Sequence, residues 1–307
     1  MTDTPVIGFI GLGYMGHGMA ANVLKAGYTL YVKGNRNRAP IDDLVAQGAK
    51  EAATPREMAQ ACDIIHLCLS NSAQVEAVFH GDDGLLAGAR QGLIVIDATT
   101  ADPVSTLALS ALLAEKGGEI VDAPLGRTPK EAEEGTLDTM VGGTDAAVAK
   151  AMPLIECWAA NITRTGPVGT GHKMKLLMNF TSMGYAALYS EAITLAAKSG
   201  LSPDIFNEVI GKSRLSNGFF ETFMRGSIGG ESEIHKFTIA NAAKDLRYAD
   251  AMATQAGVVN LLGSTFKQYF THAEAKGHSQ EYVVTMARHI AALNGIDLEK
   301  SLEEFRA

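Results

Sequence analysis

This chain of 307 residues is poor in cysteine and has no excess of positive charge. Its three cysteines, Cys62, Cys68 and Cys157, are odd in number and show no C-x-x-C spacing, so we expect buried thiols in a reducing compartment. Lysine and arginine total 26 against 34 aspartates and glutamates, which gives a net charge of −8. A nucleic-acid-binding protein usually carries a basic face, and we therefore expect no nucleic-acid partner.

Long apolar runs and metal-ligand patterns are also missing. The longest uncharged run that could suggest a membrane span, Leu176–Ser190, is shorter than the roughly 20 residues needed and contains several polar side chains. The N-terminus is polar and then immediately strand-like, so we expect no signal peptide. The eight histidines lack ligand-like spacing, so no metal is expected. These features predict a soluble, cytoplasmic protein without a membrane partner.

A glycine-rich turn near the N-terminus is the most informative pattern that is present. The apolar run Val6–Ile10 leads into Gly11-x-Gly13-x-x-Gly16, and a helical pattern follows at once. This order brings together a strand end, a tight turn and a helix N-terminus, whose free N–H groups can bind a pyrophosphate. The alternative is an ordinary glycine-rich turn. The predicted dinucleotide-binding turn comprises Gly11, Leu12, Gly13, Tyr14, Met15 and Gly16.

Short β-branched runs alternate with helical patterns in the first half of the chain, which is typical of βαβ units and a mainly parallel sheet. After about Thr165 strand-like runs almost vanish, and residues 172–199 follow the pattern of one long, largely apolar helix. We therefore predict an α/β fold, with an N-terminal Rossmann domain over residues 1–165 and an all-α domain over residues 166–307. The predicted strands of the doubly wound sheet are Val6–Ile10, Thr29–Lys33, Ile64–Leu69, Leu93–Asp97, Glu119–Ala123 and Asp138–Gly142.

The residues after the second predicted strand favour NADP over NAD. Rossmann proteins that prefer NAD place a carboxylate there, but this chain has Asn35, Arg36 and Arg38, with no acidic residue before Asp42. Two guanidinium groups can bind a 2′-phosphate in a bidentate manner. Asn35 could still bind a ribose hydroxyl, so NAD remains possible, and solvated surface arginines are the other alternative.

Further cofactor contacts are expected where other strands end. Leu69, Ser70 and Asn71 follow one predicted strand, and Thr100 follows the next. The carboxyl ends of parallel strands line the ligand crevice in such folds. Asn71 or Thr100 could equally be a helix N-cap, which is the commoner role for these residue types.

Two polar residues in the long predicted helix are candidates for catalysis. Lys175 and Asn179 are four residues apart and therefore share one helix face. A lysine on a largely apolar helix is unusual, and burial would lower its pKa towards neutrality, where it can exchange a proton with an alcohol oxygen. The alternative for such a lysine is that its ammonium group reaches solvent, which we expect for Lys173.

Four motifs, in the right order along most of the chain, resemble those of the β-hydroxyacid dehydrogenase family, to which 3-hydroxyisobutyrate dehydrogenases belong. The opening Gly8–Gly16 is similar to the family's first strand and turn, and Asp122–Pro124 with Gly135–Leu137 resembles its substrate-loop motif. Residues Gly169–Asn179 match its Gly-x-Gly-x-x-x-Lys-x-x-x-Asn pattern. Lys244–Leu246 match its C-terminal Lys-Asp-Leu.

This resemblance implies an NAD(P)-dependent dehydrogenase or reductase that interconverts a short 3-hydroxy acid, or a similar anionic primary alcohol, and its semialdehyde. It implies that Lys175 is the general acid/base and that Asn179 orients the lysine or the substrate oxygen. It also implies that Lys244 closes over the nicotinamide end and that Thr100 contacts the nicotinamide ribose. The pair Asn35-Arg36 resembles the corresponding residues of family members that use NADPH.

The substrate loop departs from the usual family pattern, Asp-Ala-Pro-Val-Ser-Gly-Gly. Here Pro124 is followed by Leu125-Gly126-Arg127-Thr128, which replaces small residues with a cation and a hydroxyl. Gly-Arg-Thr is similar to the loop of sulfolactaldehyde reductases, although those enzymes usually carry a second asparagine where this chain has Met178. We expect Pro124, Gly126, Arg127 and Thr128, with Lys175 and Asn179, to bind the substrate. The alternative is that Arg127 pairs with a glutamate at 131, 133 or 134 and faces water.

The sequence also leaves other functions open and predicts an oligomeric state. Besides the sulfolactaldehyde reductase, the alternatives are an imine reductase, which lacks the lysine, and a catalytically silent nucleotide-binding scaffold. The long apolar helix indicates that the second domain is buried against a partner subunit, so a homodimer or homotetramer is expected.

Overall fold

The computed structural model describes residues 4–34 and 37–307, and the chain divides into two compact units. Unit 1 is Met1–Lys175 and unit 2 is Leu176–Ala307. The division falls inside one long helix, whereas the domain boundary predicted from the sequence lies before that helix, between residues 165 and 166. Each unit has its own hydrophobic core.

Unit 1 contains a β-sheet, which has nine strands among the described residues. Six neighbouring strands pair in parallel in the order β3-β2-β1-β4-β5-β6, the order of dinucleotide-binding doubly wound sheets. Strand β8 is antiparallel to β6 and β7 and parallel to β9. The strands are β1 (Ile7–Ile10), β2 (Leu30–Lys33), β3 (Lys50–Glu51), β4 (Ile64–Leu67), β5 (Ile94–Asp97), β6 (Glu119–Asp122), β7 (Leu125–Gly126), β8 (Leu137–Gly142) and β9 (Ala159–Gly166).

Helices connect the strands of unit 1, and several begin at residues that favour a helix N-terminus. Thr54 and Asp102 accept backbone N–H bonds as N-caps, and each is followed by a proline at the first helical position. Most of the helices before the ninth strand are short, as expected for βα connections. They are α1 (Gly16–Lys25), α2 (Ala39–Ala46), α3 (Pro55–Ala61), α4 (Ser72–Phe79), α5 (Leu85–Gly88), α6 (Pro103–Ala114), α7 (Pro129–Glu134) and α8 (Asp145–Ile155).

Unit 2 is helical apart from one isolated β-bridge between Thr238 and Tyr282 in the part that the structure describes. Its core is rich in aromatic side chains, with Phe220, Phe223 and Phe270 almost fully buried. Among the described residues, no helix is both long and apolar enough to cross a membrane. The helices are α9 (Thr170–Lys198), which begins in unit 1, then α10 (Pro203–Gly211), α11 (Gly218–Ser227), α12 (Ile239–Gln255), α13 (Leu261–Ala275), α14 (Met286–Leu293) and α15 (Leu298–Arg306).

The predicted fold class is confirmed: a Rossmann-type α/β sheet is followed by a helical region. The structure adds three strands to the six that the sequence predicts. Strands β3 and β7 have only two residues each, too few for a periodic pattern. The third is the eight-residue β9, which pairs with β8. Its exposed polar residues show no strand pattern in the sequence.

Candidate functional site

The glycine-rich turn joins β1 to α1, and two of its glycines are required by close backbone approaches. Gly11 has φ +96°, and a Cβ atom there would lie 2.3 Å from the Cys68 carbonyl oxygen. A Cβ atom on Gly16 would lie 2.0 Å from the Gly11 carbonyl oxygen. Around Gly13, by contrast, a Cβ atom would have no neighbour within 4 Å. The turn is therefore tight on its inner side and open at Gly13, which allows a ligand to reach the backbone.

Helix α1 leaves its N-terminal N–H groups without a side-chain cap. Its N-cap residue, Met15, makes no capping hydrogen bond, and the first turn holds no acidic residue. Leu12 is buried, whereas Tyr14 is 90% exposed. A helix N-terminus with uncapped N–H groups and no carboxylate favours an anion. The residues of this turn therefore fit the pyrophosphate of a dinucleotide.

Arg38, a predicted contact of the 2′-phosphate, binds two carboxylates of unit 1. Its guanidinium donates to Glu51 Oε1 at 2.6 Å and Oε2 at 3.0 Å, and to Asp42 Oδ1 at 2.9 Å. These hydrogen bonds raise the pKa of Arg38 and lower the pKa of Glu51. A phosphate at Arg38 would have to share the guanidinium with these two acids. The other two predicted residues, Asn35 and Arg36, lie outside the described residues.

The turns after β4 and β5 are tied together by hydrogen bonds. The Leu69 N–H donates to Thr99 Oγ1 at 3.0 Å, and Thr99 N–H donates to Asp97 Oδ1 at 2.9 Å. Ser70 donates its N–H to the Gln74 side chain. Thr100, the residue after Thr99, is half-buried. The predicted cofactor residues thus lie together in unit 1 at the carboxyl ends of adjacent strands.

Asn71 is a helix N-cap, which is one of the two roles predicted for it from the sequence. Its side chain accepts a hydrogen bond of 2.9 Å from Gln74 N–H and so caps α4. Thr100 does not cap the following helix, because α6 has Asp102 as its N-cap. The capping hydrogen bond fixes the Asn71 side chain. Asn71 nevertheless follows Leu69 and Ser70 after the carboxyl end of β4, where such folds bind ligands.

Asp122 caps the helix that carries the catalytic candidates, a role that was not predicted from the sequence. The buried carboxylate of Asp122, at the end of β6, accepts hydrogen bonds from Gly169 N–H at 2.6 Å and His172 N–H at 2.9 Å. A Cβ atom on Gly171 would lie 2.8 Å from Asp122 Oδ2 and 2.3 Å from the Met140 carbonyl oxygen. The glycines at 169 and 171 therefore allow the N-terminus of α9 to contact the Asp122 carboxylate, which lies 47 to 50 residues earlier in the chain than its hydrogen-bond donors.

A second buried contact fixes the same helix start. His172 Nδ1 lies 2.8 Å from Thr106 Oγ1, and His172 Nε2 lies 3.9 Å from Asp97 Oδ2. His172 and Asp97 are almost fully buried. Burial raises the pKa of Asp97, although His172 and Thr99 oppose the shift. This contact joins α9 to α6 and β5 within unit 1.

Lys175 and Asn179 lie one turn apart on α9, as predicted. Lys175 is half-buried, unlike the exposed Lys173, and Asn179 is only 6% exposed. In unit 2, Asn179 Nδ2 donates a hydrogen bond of 2.6 Å to Asp245 Oδ2, and Lys244 Nζ lies 3.1 Å from Asp245 Oδ1. Asp245 lies in the Lys-Asp-Leu motif, but no role for it was predicted from the sequence. Its carboxylate holds both the asparagine amide and the neighbouring ammonium.

The substrate loop runs from Pro124 through β7. The Pro124 carbonyl oxygen accepts from Thr139 Oγ1 at 3.0 Å, and Gly126 pairs with Asp138 in the sheet. Arg127 has φ +76°, the one positive φ of a non-glycine residue among the described residues. Such a backbone conformation is costly for arginine, and strain of this kind is concentrated at functional sites.

Arg127 forms an ion pair with Asp138. Its Nε donates to Asp138 Oδ1 at 2.9 Å, and Asn161 donates to the same oxygen at 2.7 Å. Burial tends to raise the pKa of Asp138, but these hydrogen bonds outweigh burial and lower it. The alternative prediction that Arg127 pairs with a glutamate at 131, 133 or 134 was wrong. Its ion-pair partner is Asp138, because β8 places this residue opposite the loop. Both side chains remain about 40% exposed, so the guanidinium is accessible.

Thr128 begins α7 as its N-cap. The Thr128 N–H donates to Glu131 Oε2 at 3.0 Å, and the Thr128 hydroxyl donates to the same carboxylate. The hydroxyl bond lowers the pKa of Glu131. Glu131 is therefore a capping residue, and the sequence spacing Thr-x-x-Glu is the signal that could have identified it.

Comparison with known proteins gives two family matches that cover most of the chain. Residues 6–166 match the NAD binding domain of 6-phosphogluconate dehydrogenase. Residues 169–290 match the family described as NAD-binding of NADP-dependent 3-hydroxyisobutyrate dehydrogenase. The two matches meet just before α9 begins.

Individual relatives are similar over almost their whole length. The 2-(hydroxymethyl)glutarate dehydrogenase of Eubacterium barkeri is 33% identical over 292 residues, which are 95% of this chain and 97% of that protein. The 3-sulfolactaldehyde reductase of Escherichia coli is 33% identical over 275 residues, 90% of this chain and 92% of that protein. The solved structure of Mycobacterium tuberculosis 3-hydroxyisobutyrate dehydrogenase with L-serine is 25% identical, with a TM-score of 0.83, and covers 93% of this chain and 98% of that one.

Proposed function

Since the chain belongs to the β-hydroxyacid dehydrogenase family and is an NAD(P)-dependent oxidoreductase of the CH–OH group, we propose that it interconverts a short 3-hydroxy acid and its semialdehyde. The relatives named above act, by their names, on small molecules that carry an anionic group close to the reacting carbon. The observation that carries the proposal is the pair Lys175 and Asn179 on one face of α9, with the amide of Asn179 fixed by Asp245.

The cofactor is a nicotinamide dinucleotide, and we assign its binding to the glycine-rich turn and the strand ends. The N–H groups at the start of α1 would hold the pyrophosphate, and the open space at Gly13 supports this assignment. The remaining contacts proposed are Leu69, Ser70, Asn71, Thr100 and Lys244. When bound, the nicotinamide supplies a hydride to the substrate carbonyl carbon or accepts one from the alcohol carbon.

NADP is the proposed preference of this cofactor site. The argument is the sequence after β2, where Asn35 and Arg36 stand in place of a carboxylate. Arg36 is assigned the main contact with the 2′-phosphate. Arg38 is the weaker candidate, because Glu51 and Asp42 already engage its guanidinium.

Lys175 is proposed as the general acid/base. In the reducing direction its ammonium gives a proton to the oxygen of the former carbonyl group, and in the oxidising direction its amine takes that proton. Asn179 would orient the lysine or the substrate oxygen. One N–H of its side-chain amide is bound to Asp245, which leaves the side-chain Oδ1 of Asn179 to accept a hydrogen bond and the second N–H to donate one.

The distal anion of the substrate is assigned to the loop of Pro124, Gly126, Arg127 and Thr128. Arg127 can donate to a carboxylate or a sulfonate with the N–H groups that Asp138 does not use. A second candidate function, sulfolactaldehyde reduction, is favoured by the Gly-Arg-Thr loop and by the Escherichia coli relative of that name.

We also propose a cytoplasmic location and a homo-oligomeric state. All three cysteines are free, as expected for a reducing compartment. Large apolar side chains of α9 are exposed in the single chain, and a partner subunit would cover them. They include Leu177, Leu188 and Leu195, which are 49%, 55% and 70% exposed.

The experiment that tests this function is an NADPH-oxidation assay with a panel of aldehydes. The panel contains glyoxylate, succinic semialdehyde, methylmalonate semialdehyde, tartronate semialdehyde and sulfolactaldehyde. A neutral aldehyde of similar length is assayed beside the panel, and turnover of one carboxylate or sulfonate substrate well above that of the neutral aldehyde supports the proposal. Binding of NADPH, detected by fluorescence, without turnover of any member would favour the silent scaffold.

A further inference from the structure

Two histidines and a glutamate that the family motifs do not include come together in unit 2. His278 Nδ1 lies 2.6 Å from Glu281 Oε1, and His289 Nε2 lies 3.0 Å from Glu281 Oε2. The two imidazole rings have their centroids 4.0 Å apart. One ligand atom from each residue lies within 4.8 Å of the other two. No sequence pattern indicates this cluster, because His278 and His289 are not at helical metal-ligand spacing.

The backbone holds these three residues in place. His278 follows the end of α13, where its N–H donates to the Ala273 carbonyl oxygen at 3.1 Å. The Glu281 carbonyl oxygen accepts from Ile239 N–H at 2.8 Å, which fixes the loop to the start of α12. His289 lies in the middle of α14. The candidate metal-ligand atoms therefore come from a loop held by backbone hydrogen bonds and from a helix. Both segments position these atoms before any ion binds.

A depression in the surface of unit 2 opens beside the cluster. It has a volume of about 400 Å³, and its lining includes both cluster histidines together with His272 and Lys276. The side chains of His278 and Glu281 are 38% and 42% exposed, and that of His289 is 15% exposed. An ion could therefore enter from solvent and retain one coordination position facing the depression.

We propose that His278, Glu281 and His289 form a binding site for a divalent transition-metal ion of the zinc type. Two imidazole nitrogens and one carboxylate oxygen suit Zn²⁺, Co²⁺ or Ni²⁺, whereas Mg²⁺ and Ca²⁺ prefer oxygen ligands alone. Closed structural zinc sites use four protein ligands, whereas catalytic zinc sites have three and leave the fourth position to water or another small ligand. The three residues of this cluster correspond to the open type of site.

The hydrogen bonds of the cluster are consistent with this site. Glu281 now accepts one hydrogen bond from each imidazole, and metal binding would replace these two hydrogen bonds with bonds to the ion. Each neutral imidazole would then carry its proton on the ring nitrogen that does not bind the ion. The hydroxyl of Thr285 donates to Glu281 Oε2 at 3.1 Å and would orient the carboxylate from outside the coordination shell. The positive charge of Lys276 on the same depression opposes cation binding, so we expect moderate affinity.

The test is a titration of the metal-free, full-length protein with Zn²⁺ by calorimetry and with Co²⁺ by visible absorption. We expect one equivalent of Zn²⁺ to bind, and Co²⁺ to give the absorption of a four- or five-coordinate site. His289→Ala should weaken the binding by about 100-fold or more, because one of three protein ligands is lost. The matched control is His272→Ala, which removes a histidine of the same depression outside the cluster and should leave the affinity unchanged.

A conservative variant keeps the proposal testable if His289→Ala does not fold. Glu281→Gln preserves the size of the side chain but removes the anionic ligand, and it should also weaken Zn²⁺ binding. Circular dichroism reports folding, and thermal unfolding with and without Zn²⁺ should show a metal-dependent rise in Tm for the unmodified chain and for His272→Ala, but not for the two cluster variants. Equal Zn²⁺ affinity in His272→Ala, His289→Ala and the unmodified chain would overturn the proposal, and so would the absence of binding. Either result would mean that the cluster only forms hydrogen bonds that link the loop after α13 to α14.

Discussion

The amide of Asn179 donates a hydrogen bond of 2.6 Å to the carboxylate of Asp245, a residue 66 positions later in the chain. The other oxygen of the same carboxylate lies 3.1 Å from Lys244 Nζ. Asn179 and Asp245 are both buried, so this bond is shielded from solvent. A single carboxylate thus fixes one residue of the proposed catalytic pair and one residue assigned to the cofactor.

Asp245→Asn is expected to lower kcat more than it changes KM. A charged hydrogen bond contributes about 1.5–3 kcal/mol, so its loss corresponds to roughly a 10- to 100-fold fall in rate. The measurement is steady-state kinetics of the single variants Asp245→Asn and Asn179→Ala and of the double variant. If the two residues act as one unit, their effects will be far from additive.

The control for Asp245→Asn is Asp250→Asn on the same helix, α12. Asp250 accepts hydrogen bonds from Lys267 and Asn260 and has no contact with Asn179 among the contacts of the described residues. Its loss should reduce stability without the selective fall in kcat. Strictly additive effects of the Asn179 and Asp245 variants would contradict the proposed coupling.

Arg127→Ala is expected to raise KM for charged aldehydes by about 10- to 100-fold, because a charged hydrogen bond to the distal anion is lost. A neutral aldehyde of similar length should be almost unaffected. Arg164→Ala is the matched control, since Arg164 also forms an ion pair in unit 1, with Asp145. The same loss for charged and neutral substrates would show that Arg127 only pairs with Asp138.

Arg36→Glu is expected to shift the preference from NADPH towards NADH. A carboxylate at this position repels a 2′-phosphate and can bind the ribose hydroxyls of NAD. The measurement is the ratio of kcat/KM for the two cofactors, with Arg56→Glu, an exposed arginine elsewhere in unit 1, as the control. An unchanged ratio in Arg36→Glu would refute the assignment of NADP to this arginine.

His66 makes stability depend on pH. It is fully buried in β4, stacked on Phe9, and burial lowers its pKa to about 3. The unfolded chain takes up a proton on this histidine below about pH 6.5, whereas the folded chain does not until about pH 3. The free energy of unfolding should therefore fall as the pH drops from 6.5 towards 3.

His66→Phe should remove this contribution, because its ring can still stack on Phe9 but takes up no proton. Urea unfolding at pH 7, 6, 5 and 4 should show the variant gaining stability relative to the unmodified chain at about 1.4 kcal/mol per pH unit. His80→Gln, a change at an exposed histidine, is the control. A difference between His66→Phe and the unmodified chain that stays constant with pH would contradict the account.

The sheet could be predicted from sequence because its central strands are short, almost wholly buried runs of β-branched residues such as Ile64–Leu67 and Ile94–Asp97. The strand β9 could not, because its exposed Asn161, Thr163 and Arg164 have no apolar alternation. Its stability comes from pairing with β8, and that pairing depends on tertiary structure.

The candidate site was only partly predictable for a related reason. Lys175 and Asn179 share a helix, so their spacing alone places them on one face. Asp122 and Asp245 act across the fold, and no local pattern records that one caps α9 or that the other holds Asn179. Pairings between residues 47 to 66 positions apart require the folded chain.

The central claim is that Lys175 transfers the proton, and its most direct test is a single-turnover measurement of NADPH oxidation by Lys175→Met. The account predicts a fall in rate of about 10²- to 10⁴-fold with the Kd for NADPH nearly unchanged. Lys173→Met, which alters an exposed lysine two residues earlier on α9, should keep the full rate. A Lys175→Met protein that reduces its aldehyde at the unmodified rate would contradict the account.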